Sequence, residues 1–165
     1  MRVKLVVMGV AGCGKSSLAK AVANVLGWTL VEGDEFHPQS NIEKMRRGEP
    51  LTDDDRAGWL RTLAQQLQAH EQAVMTCSAL RRRYRDLLRG STPELRFIHL
   101  TLTPAQARER VALRCSHYFT PELVDSQFQT LESTDAEQDV LSLDATQSPV
   151  ELLKAVTVWL QKEHA

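Results

Sequence analysis

Three glycines stand in the octapeptide Gly-Val-Ala-Gly-Cys-Gly-Lys-Ser, which runs from Gly9 to Ser16 directly after the apolar segment 3–8. Glycine accepts positive φ angles, so Gly9, Gly12 and Gly14 permit a tight loop that other residues would strain. Backbone N–H groups of such a loop converge at a helix start, where the helix dipole favours an anion. The spacing fits G-x-x-x-x-G-K-[ST] and therefore predicts a phosphate-binding loop between a buried strand and a helix.

The residues of this loop have separate predicted tasks. In loops of this pattern the lysine reaches the β- and γ-phosphates of a nucleotide, and the following hydroxyl binds Mg²⁺. We therefore predict that ATP and Mg²⁺ bind here, that Ser16 is a metal ligand and that Lys15 is also catalytic. The predicted nucleotide-binding residues of the loop are Gly9, Val10, Ala11, Gly12, Cys13, Gly14, Lys15, Ser16 and Ser17.

Length and composition restrict the remaining possibilities. A chain of 165 residues is long enough for one domain with a proper core, so we predict a single domain over residues 1–165. The net charge of −1 and the short apolar runs give no indication of a nucleic-acid or membrane partner. Three cysteines without metal-ligand spacing are typical of free thiols in a reducing compartment. We expect a cytoplasmic protein.

Apolar, strand-like runs alternate with helical patterns along the whole chain. This alternation predicts an α/β fold, with a parallel five-stranded sheet flanked by helices in the three-layer P-loop NTPase arrangement. Residues 36–70 are predicted to form two inserted helices that hold the phosphate acceptor. Residues 108–132 are predicted to form a lid over the nucleotide. Helix starts are predicted at Thr103-Pro104, Thr120-Pro121 and Ser148-Pro149. The strands are predicted near Val3–Val10, Thr29–Gly33, Ala73–Ser78, Leu95–Leu102 and Val140–Asp144.

Several further blocks carry a resemblance to one family. They are Glu32-Gly33-Asp34, Phe36-His37-Pro38, Ser40 to Met45, Gly48 to Leu51, Asp53 to Arg56, Cys77 to Leu80, Tyr84 to Asp86, His117 to Phe119, Gln127-Phe128 and Leu131-Glu132. In this order they resemble the gluconate kinases (gluconokinases), which are small P-loop kinases. The resemblance implies ATP-dependent phosphorylation of D-gluconate to 6-phosphogluconate, and commonly a homodimer. One departure is Glu32, where an Asp is common in the family.

Asp34 is the candidate residue for binding and activating the acceptor hydroxyl. It closes the second predicted strand, at the edge where open α/β sheets bind ligands. A carboxylate there can orient the 6-hydroxyl of the acceptor, accept its proton, or bind Mg²⁺ through water. No acidic residue ends the third predicted strand. Asp34 is therefore the preferred candidate, and we predict that it is a catalytic, substrate-binding and metal-binding residue.

Recognition of a sugar acid needs polar groups for the hydroxyls and a cation for the carboxylate. Asn41 and Lys44 are three residues apart and share a helix face. Arg81 follows the end of the third predicted strand, a position at which its guanidinium can meet an anion. The other arginines of its helix are interpreted as surface residues. With the family resemblance, the predicted substrate-binding residues are Asp34, His37, Asn41, Lys44, Arg56, Arg81 and His117.

Two arginines at the start of the predicted lid complete the prediction. Arg110 and Arg114 are four residues apart on one helix face, where two guanidinium groups can neutralise the transferring phosphoryl group. Both are predicted nucleotide contacts, and Arg114 is also predicted to be catalytic. Two other hypotheses remain open at this point. One is a P-loop kinase of another small hydroxy acid such as shikimate, and the other is a non-catalytic regulator that binds a nucleotide, or that associates with RNA through the arginine stripe of its helix.

Overall fold

In the computed structural model, residues 3–113 and 120–163 are described. Within these ranges five strands alternate with seven α-helices. In chain order they are β1 Lys4–Met8, α1 Lys15–Leu26, β2 Thr29–Glu32, α2 Gln39–Arg46, α3 Asp53–Ala69, β3 Ala73–Thr76, α4 Arg82–Ser91, β4 Leu95–Thr101, α5 Pro104–Ala112, α6 Pro121–Thr130, β5 Val140–Asp144 and α7 Pro149–Glu163, with a 3₁₀ turn at Gly33–Phe36 between β2 and α2.

The five strands form one parallel sheet in the order β2-β3-β1-β4-β5. The central strand β1 pairs with β3 on one side and with β4 on the other, so that Val6 stands between Met75 and Phe97. The predicted α/β fold is confirmed, and the five predicted strands all occur, each within a few residues of its expected bounds. Since every strand points the same way, the loops that follow β1, β2 and β3 meet at one edge of the sheet.

Two apolar cores cover the two faces of the sheet. Successive residues of a strand point to opposite faces, so Leu5 and Val7 pack with α1 and α7 on one side. Val6 and Met8 pack on the other side, with α3 and α4. All four side chains are fully buried, which is the pattern expected for the central strand of a sheet covered on both faces.

The predicted helix starts are present, and two helices of the fold begin with a capping box. Thr103 accepts a hydrogen bond from the Gln106 N–H, and the Gln106 side chain accepts one from the Thr103 N–H. Thr52 and Asp55 do the same at the start of α3. These reciprocal bonds satisfy N–H groups that have no partner within the helix. The acidic cluster at Asp53–Asp55 therefore begins helix α3.

The interpretation of the α4 arginines as surface residues is wrong for Arg85. Its side chain is fully buried, and its Nη2 lies 2.7 Å from Glu137 Oε2. Arg85 also donates to the carbonyl oxygens of Ala79 and Leu80, at 2.7 and 3.1 Å, and to that of Glu132, at 3.2 Å. Burial alone would raise the pKa of the Glu137 carboxyl, but hydrogen bonds from Arg85 and Arg89 hold it below its usual range.

No helix within the described ranges is both long enough and apolar enough to cross a membrane.

We predict that Arg85→Met destabilises the fold by about 3–5 kcal/mol, because removal of one member of a buried ion pair leaves the rest of the network without its donor. The matched control is Arg82→Met on the same helix, where the side chain is exposed and pairs with Asp86 only at 3.8 Å. This control is expected to change the free energy of unfolding by no more than about 0.5 kcal/mol. Urea denaturation measures both, and equal midpoints for the two variants would contradict the prediction.

Candidate active site

The loop after β1 has the conformation that a phosphate-binding loop requires. Gly9, Gly12 and Gly14 all have positive φ angles, as predicted. A Cβ on Gly9 would lie 2.7 Å from the Cys13 sulfur and 2.7 Å from the Leu100 carbonyl oxygen, so the close packing of the loop excludes a side chain there. Gly14 is the N-cap of α1, which places the loop at the positive end of that helix.

Lys15 and Ser16, the predicted functional residues of the loop, are the first two residues of α1. The Lys15 ammonium lies back over the loop and donates to the carbonyl oxygens of Gly9 and Val10, at 3.0 and 3.1 Å. It therefore occupies the concave side of the loop, where a cation can meet an anion bound by the backbone N–H groups. Ser17 is exposed beside Ser16, and the Cys13 side chain is buried.

Glu32, which the sequence reasoning did not assign to the site, binds the Ser16 hydroxyl. Ser16 Oγ donates to Glu32 Oε2 at 2.9 Å, and Thr76 Oγ1 donates to the same oxygen at 2.9 Å. The parallel register sets Glu32 beside Thr76 on β3. The sequence did contain an indication of this role for Glu32. Glu32 ends β2, and the neighbouring strand β3 ends in the hydroxyl residue Thr76 instead of a carboxylate.

Asp34 lies in the 3₁₀ turn after β2, and its carboxylate is accessible: 61% of the side chain is exposed. Its Oδ1 lies 4.0 Å from Nε2 of His37. The His37 ring stacks on Trp59 with a centroid separation of 4.0 Å, and Trp59 Nε1 donates to the Gly33 carbonyl at 2.8 Å. The tryptophan therefore fixes both the turn that carries Asp34 and the ring beside it.

His37 is neutral at physiological pH. Burial lowers its pKa to about 4, with a further lowering by Arg56 and an opposing effect of Asp34. Asn41 Nδ2, which also donates to the Asp55 carbonyl at 2.9 Å, lies 3.3 Å from His37 Nδ1. Because the amide nitrogen can only donate, Nδ1 is the acceptor and Nε2 carries the proton. This neutral imidazole therefore presents an N–H group beside Asp34.

Two of the predicted substrate-binding residues, Asn41 and Lys44, are engaged within the protein. Asn41 is buried and bound as described above. Lys44 Nζ forms an ion pair of 2.7 Å with Asp55 Oδ2, and hydrogen bonding by Lys44 is the largest cause that lowers the pKa of that carboxyl. These contacts join α2 to the start of α3, and neither side chain lines the cavity described next.

A cavity of about 290 Å³ lies between the phosphate-binding loop, the turn after β2 and helices α2, α3 and α6. Its volume is close to the lower end of the range for small-molecule sites. Arg56 lines this cavity, and only 8% of the residue is exposed. Arg81 does not line the cavity, and its Nε lies 3.6 Å from Asp53 Oδ1. The lining includes Gly12, Lys15, Ser16, Asp34, His37, Arg56, Trp59 and Gln127.

Helices α5 and α6 reach the loop from the other side. Arg110 donates to the Gly12 carbonyl at 3.3 Å and to the Ala145 carbonyl at 3.1 Å. Gln127 Oε1 accepts from the Ala11 N–H at 2.7 Å. The sequence reasoning assigned no role to Gln127, although Gln127-Phe128 was among the blocks of the family resemblance. The predictions for Arg114 and His117 lie outside the described residues.

The chain matches one described protein family and is similar to known gluconokinases. Residues 5–136 match a family described as "AAA domain". A gluconokinase of Gluconobacter oxydans is 40% identical over 96% of this chain and 92% of its own length. The thermoresistant gluconokinase of Escherichia coli is 41% identical over 96% of this chain and 93% of its own.

Solved structures extend the likeness to the fold. A gluconokinase from Sinorhizobium meliloti is 38% identical, with a TM-score of 0.85 and coverage of 97% of each chain. A shikimate kinase from Aquifex aeolicus has a TM-score of 0.71 over 98% of each chain but only 12% identity, so it shares the fold alone.

The buried neutral histidine makes stability depend on pH, and His37→Phe should reduce that dependence. The pKa of His37 is about 4 in the folded protein, against a usual value of 6.5, so the unfolded chain binds the extra proton between these values. Stability therefore falls as the pH decreases from 6.5 towards 4. His99 is also buried with a pKa near 4 and contributes in the same window, so the variant retains part of the effect.

The measurement is the free energy of unfolding of the protein and of His37→Phe at several pH values between 4 and 6.5. The slope for the variant should be smaller by up to about 1.4 kcal/mol per pH unit, which corresponds to one proton. Parallel curves for the two proteins would show that His37 titrates alike in the folded and unfolded states.

Proposed function

This chain belongs to the gluconokinase family, and on that premise we propose that it transfers the γ-phosphoryl group of ATP to the 6-hydroxyl of D-gluconate, giving 6-phospho-D-gluconate and ADP. One observation carries the proposal beyond the family likeness. A single cavity joins Lys15 and Ser16 of the phosphate-binding loop to the accessible Asp34 carboxylate and to the buried Arg56 cation. A phosphate donor and a hydroxy acid can therefore meet within it.

The phosphate half of the proposed site consists of the loop and α5. The N–H groups of Gly9, Ala11 and Cys13 bond within the protein, so the other loop N–H groups, at the positive end of α1, are left for the phosphates. Lys15 leaves its carbonyl partners to reach the β- and γ-phosphates. Arg110, which holds the Gly12 carbonyl, stands beside this loop and adds a second positive charge. Arg114 remains a predicted contact of the same phosphates.

The donor set at the sheet edge suits Mg²⁺. Ser16 and the carboxylates of Glu32 and Asp34 offer hard oxygen ligands, and the described residues contain no cluster of three His, Cys, Asp or Glu that could hold a metal on its own. Mg²⁺ commonly takes only one or two protein ligands beside substrate phosphates and water. We propose Ser16 as a direct ligand, with Glu32 and Asp34 as partners of its water ligands; the ion would neutralise charge on the β- and γ-phosphates.

The residue that binds the acceptor carboxylate can be inferred from which cations already form ion pairs within the protein. Lys44 is neutralised by Asp55, and Arg81 faces Asp53 outside the cavity. Within the described ranges no carboxylate forms an ion pair with Arg56, which lines the cavity, so we propose that Arg56 binds the gluconate carboxylate. Lys44, Asn41 and Arg81 then contribute by shaping this half of the site, while His117 remains a predicted contact of the acceptor.

Asp34 is the proposed catalytic group of the acceptor half. It accepts the hydrogen bond of the 6-hydroxyl, which aims that oxygen at the γ-phosphorus. As the new O–P bond forms and the bond to the ADP oxygen breaks, the hydroxyl proton passes to the Asp34 carboxylate. The Nε2–H of His37 is placed to hydrogen-bond a neighbouring hydroxyl of gluconate, and the stacked Trp59 ring keeps it in place.

Assembly and location belong to the same proposal. We propose a homodimer, which the family resemblance supports, and a cytoplasmic location, which the sparse cysteines support; Cys13 and Cys77 are free thiols in the structure. Light scattering on the purified protein distinguishes a monomer of 18.6 kDa from a dimer of twice that mass.

The reaction is tested by ADP release with a panel of acids: D-gluconate, shikimate and a hydroxy acid of different chain length. We expect release that depends on gluconate and is much faster than with the other acids, and ³¹P NMR of the product should show a phosphate monoester at C6. Strong turnover of another acid with none of gluconate would overturn the proposed substrate. ATP binding without turnover of any acid would overturn the proposed reaction.

Two substitutions separate the halves of the site. Lys15→Ala should lower kcat/KM by at least about 10²–10³-fold, because it removes a donor to the transferring group. Asp34→Asn should lower kcat by about 10²–10⁴-fold with little change in ATP binding, because the amide cannot accept the hydroxyl proton. The matched controls are Lys20→Ala and Glu35→Gln, both exposed neighbours on the same elements. Full activity in either site variant would remove that residue from the mechanism.

A further inference from the structure

The buried cation Arg56 has an unusual partner, the hydroxyl of Tyr84. Arg56 Nη1 donates to Tyr84 Oη at 3.3 Å, and the guanidinium carbon lies 5.6 Å from the centre of the Tyr84 ring. Both residues are buried: 8% of Arg56 and 5% of Tyr84 is exposed. Arg56 comes from α3 and Tyr84 from α4, so this contact sets the direction of the arginine from a different element.

The tyrosine hydroxyl also binds Asp53, and the direction of each hydrogen bond is determined by chemistry. A guanidinium can only donate, so Tyr84 Oη accepts from Arg56. An ionised carboxylate can only accept, so the Tyr84 O–H group donates to Asp53 Oδ1. The single hydroxyl proton is therefore committed to Asp53, and the oxygen lone pairs are left for Arg56.

Asp53 is neutralised from the outside of the molecule. Arg83 forms an ion pair with its Oδ2, and Arg81 Nε lies 3.6 Å from its Oδ1. Asp53 and Arg56 are three residues apart at the start of the same helix, a spacing at which such residues commonly form an ion pair with each other. No such pair is present here, because the Tyr84 hydroxyl stands between the carboxylate and the guanidinium.

We propose that Tyr84, supported by Asp53, is a positioning residue for the acceptor: its hydroxyl holds the Arg56 guanidinium towards the cavity and keeps Asp53 from pairing with it, so that the charge of Arg56 is reserved for the substrate carboxylate. This inference rests on the proposed function, since it requires an anionic acceptor at Arg56. It assigns no contact between Tyr84 and the substrate. The arginine acts on the substrate, and the tyrosine acts through the arginine.

The test is Tyr84→Phe, which retains the ring and its contact with the guanidinium but removes the hydroxyl. Loss of one hydrogen bond to a charged group corresponds to about a tenfold change in an equilibrium constant. We therefore expect the KM for gluconate to rise about tenfold, with kcat and the KM for ATP within about twofold of the unsubstituted protein. A general structural disturbance would change all three values.

A double-mutant cycle gives the deciding measurement. Arg56→Met should raise the KM for gluconate strongly, and Tyr84→Phe added to Arg56→Met should then change it no further, because its effect passes through the guanidinium. Thermal unfolding of each variant confirms that it is folded. An unchanged KM in Tyr84→Phe, or a full tenfold effect that persists in the Arg56→Met background, would overturn the positioning role.

The unsubstituted protein distinguishes this failure from failure of the proposed function. If it releases ADP with gluconate and the cycle is additive, the proposed function stands and the role of Tyr84 is wrong. If it releases no ADP with gluconate, the proposed function falls before any variant is made, and the inference falls with it.

Discussion

Parallel pairing of strands β1, β2 and β3 in one sheet is the constraint on which the site depends. Strand β1 lies between β3 and β4, and β2 pairs with β3, so the chain leaves all of these strands at one edge. The phosphate-binding loop follows β1, and Glu32 ends β2 beside Thr76 of β3. Hydrogen bonds from Ser16 and Thr76 to one Glu32 oxygen then tie the loop to that edge. A shift of register would separate the loop from the turn that carries Asp34, because each residue is 3.3 Å along a strand.

The charges of the acceptor half follow a consistent pattern. Acidic residues at the start of α3 are matched by cations that do not line the cavity: Asp55 by Lys44, and Asp53 by Arg83. The histidine inside the cavity is neutral because burial opposes its protonation. Among the described residues that line the cavity, the buried cation is Arg56. A buried charge without a counter-charge is costly unless a ligand supplies one. An acceptor with a carboxylate supplies it, whereas an uncharged polyol does not.

Local features of the fold could be predicted from the sequence, and features that depend on distant residues could not. The strands, the loop glycines and the capping box at Thr103 all depend on residues within a few positions of each other, so the sequence pattern indicates them directly. The burial of Arg85 depends on Glu137, 52 residues further along the chain. Likewise, the ion pair between Lys44 and Asp55 depends on how α2 packs on α3. The spacing of residues within α2 alone does not indicate that packing.

The two halves of the site differ in the same way, and this bears on how specificity can change. The phosphate half is one continuous loop whose groups are set by local backbone geometry, so it is present wherever the motif folds. The acceptor half is assembled from the turn after β2, from α2, α3 and α4, and from side chains that hold one another: Asn41 holds His37, and Tyr84 holds Arg56. A related chain can therefore keep the same loop and the same fold and still bind a different acid, because a single changed contact between these elements redirects the cation or the imidazole. The shikimate kinase fold, shared at 12% identity, is consistent with this division between a retained scaffold and a variable acceptor site.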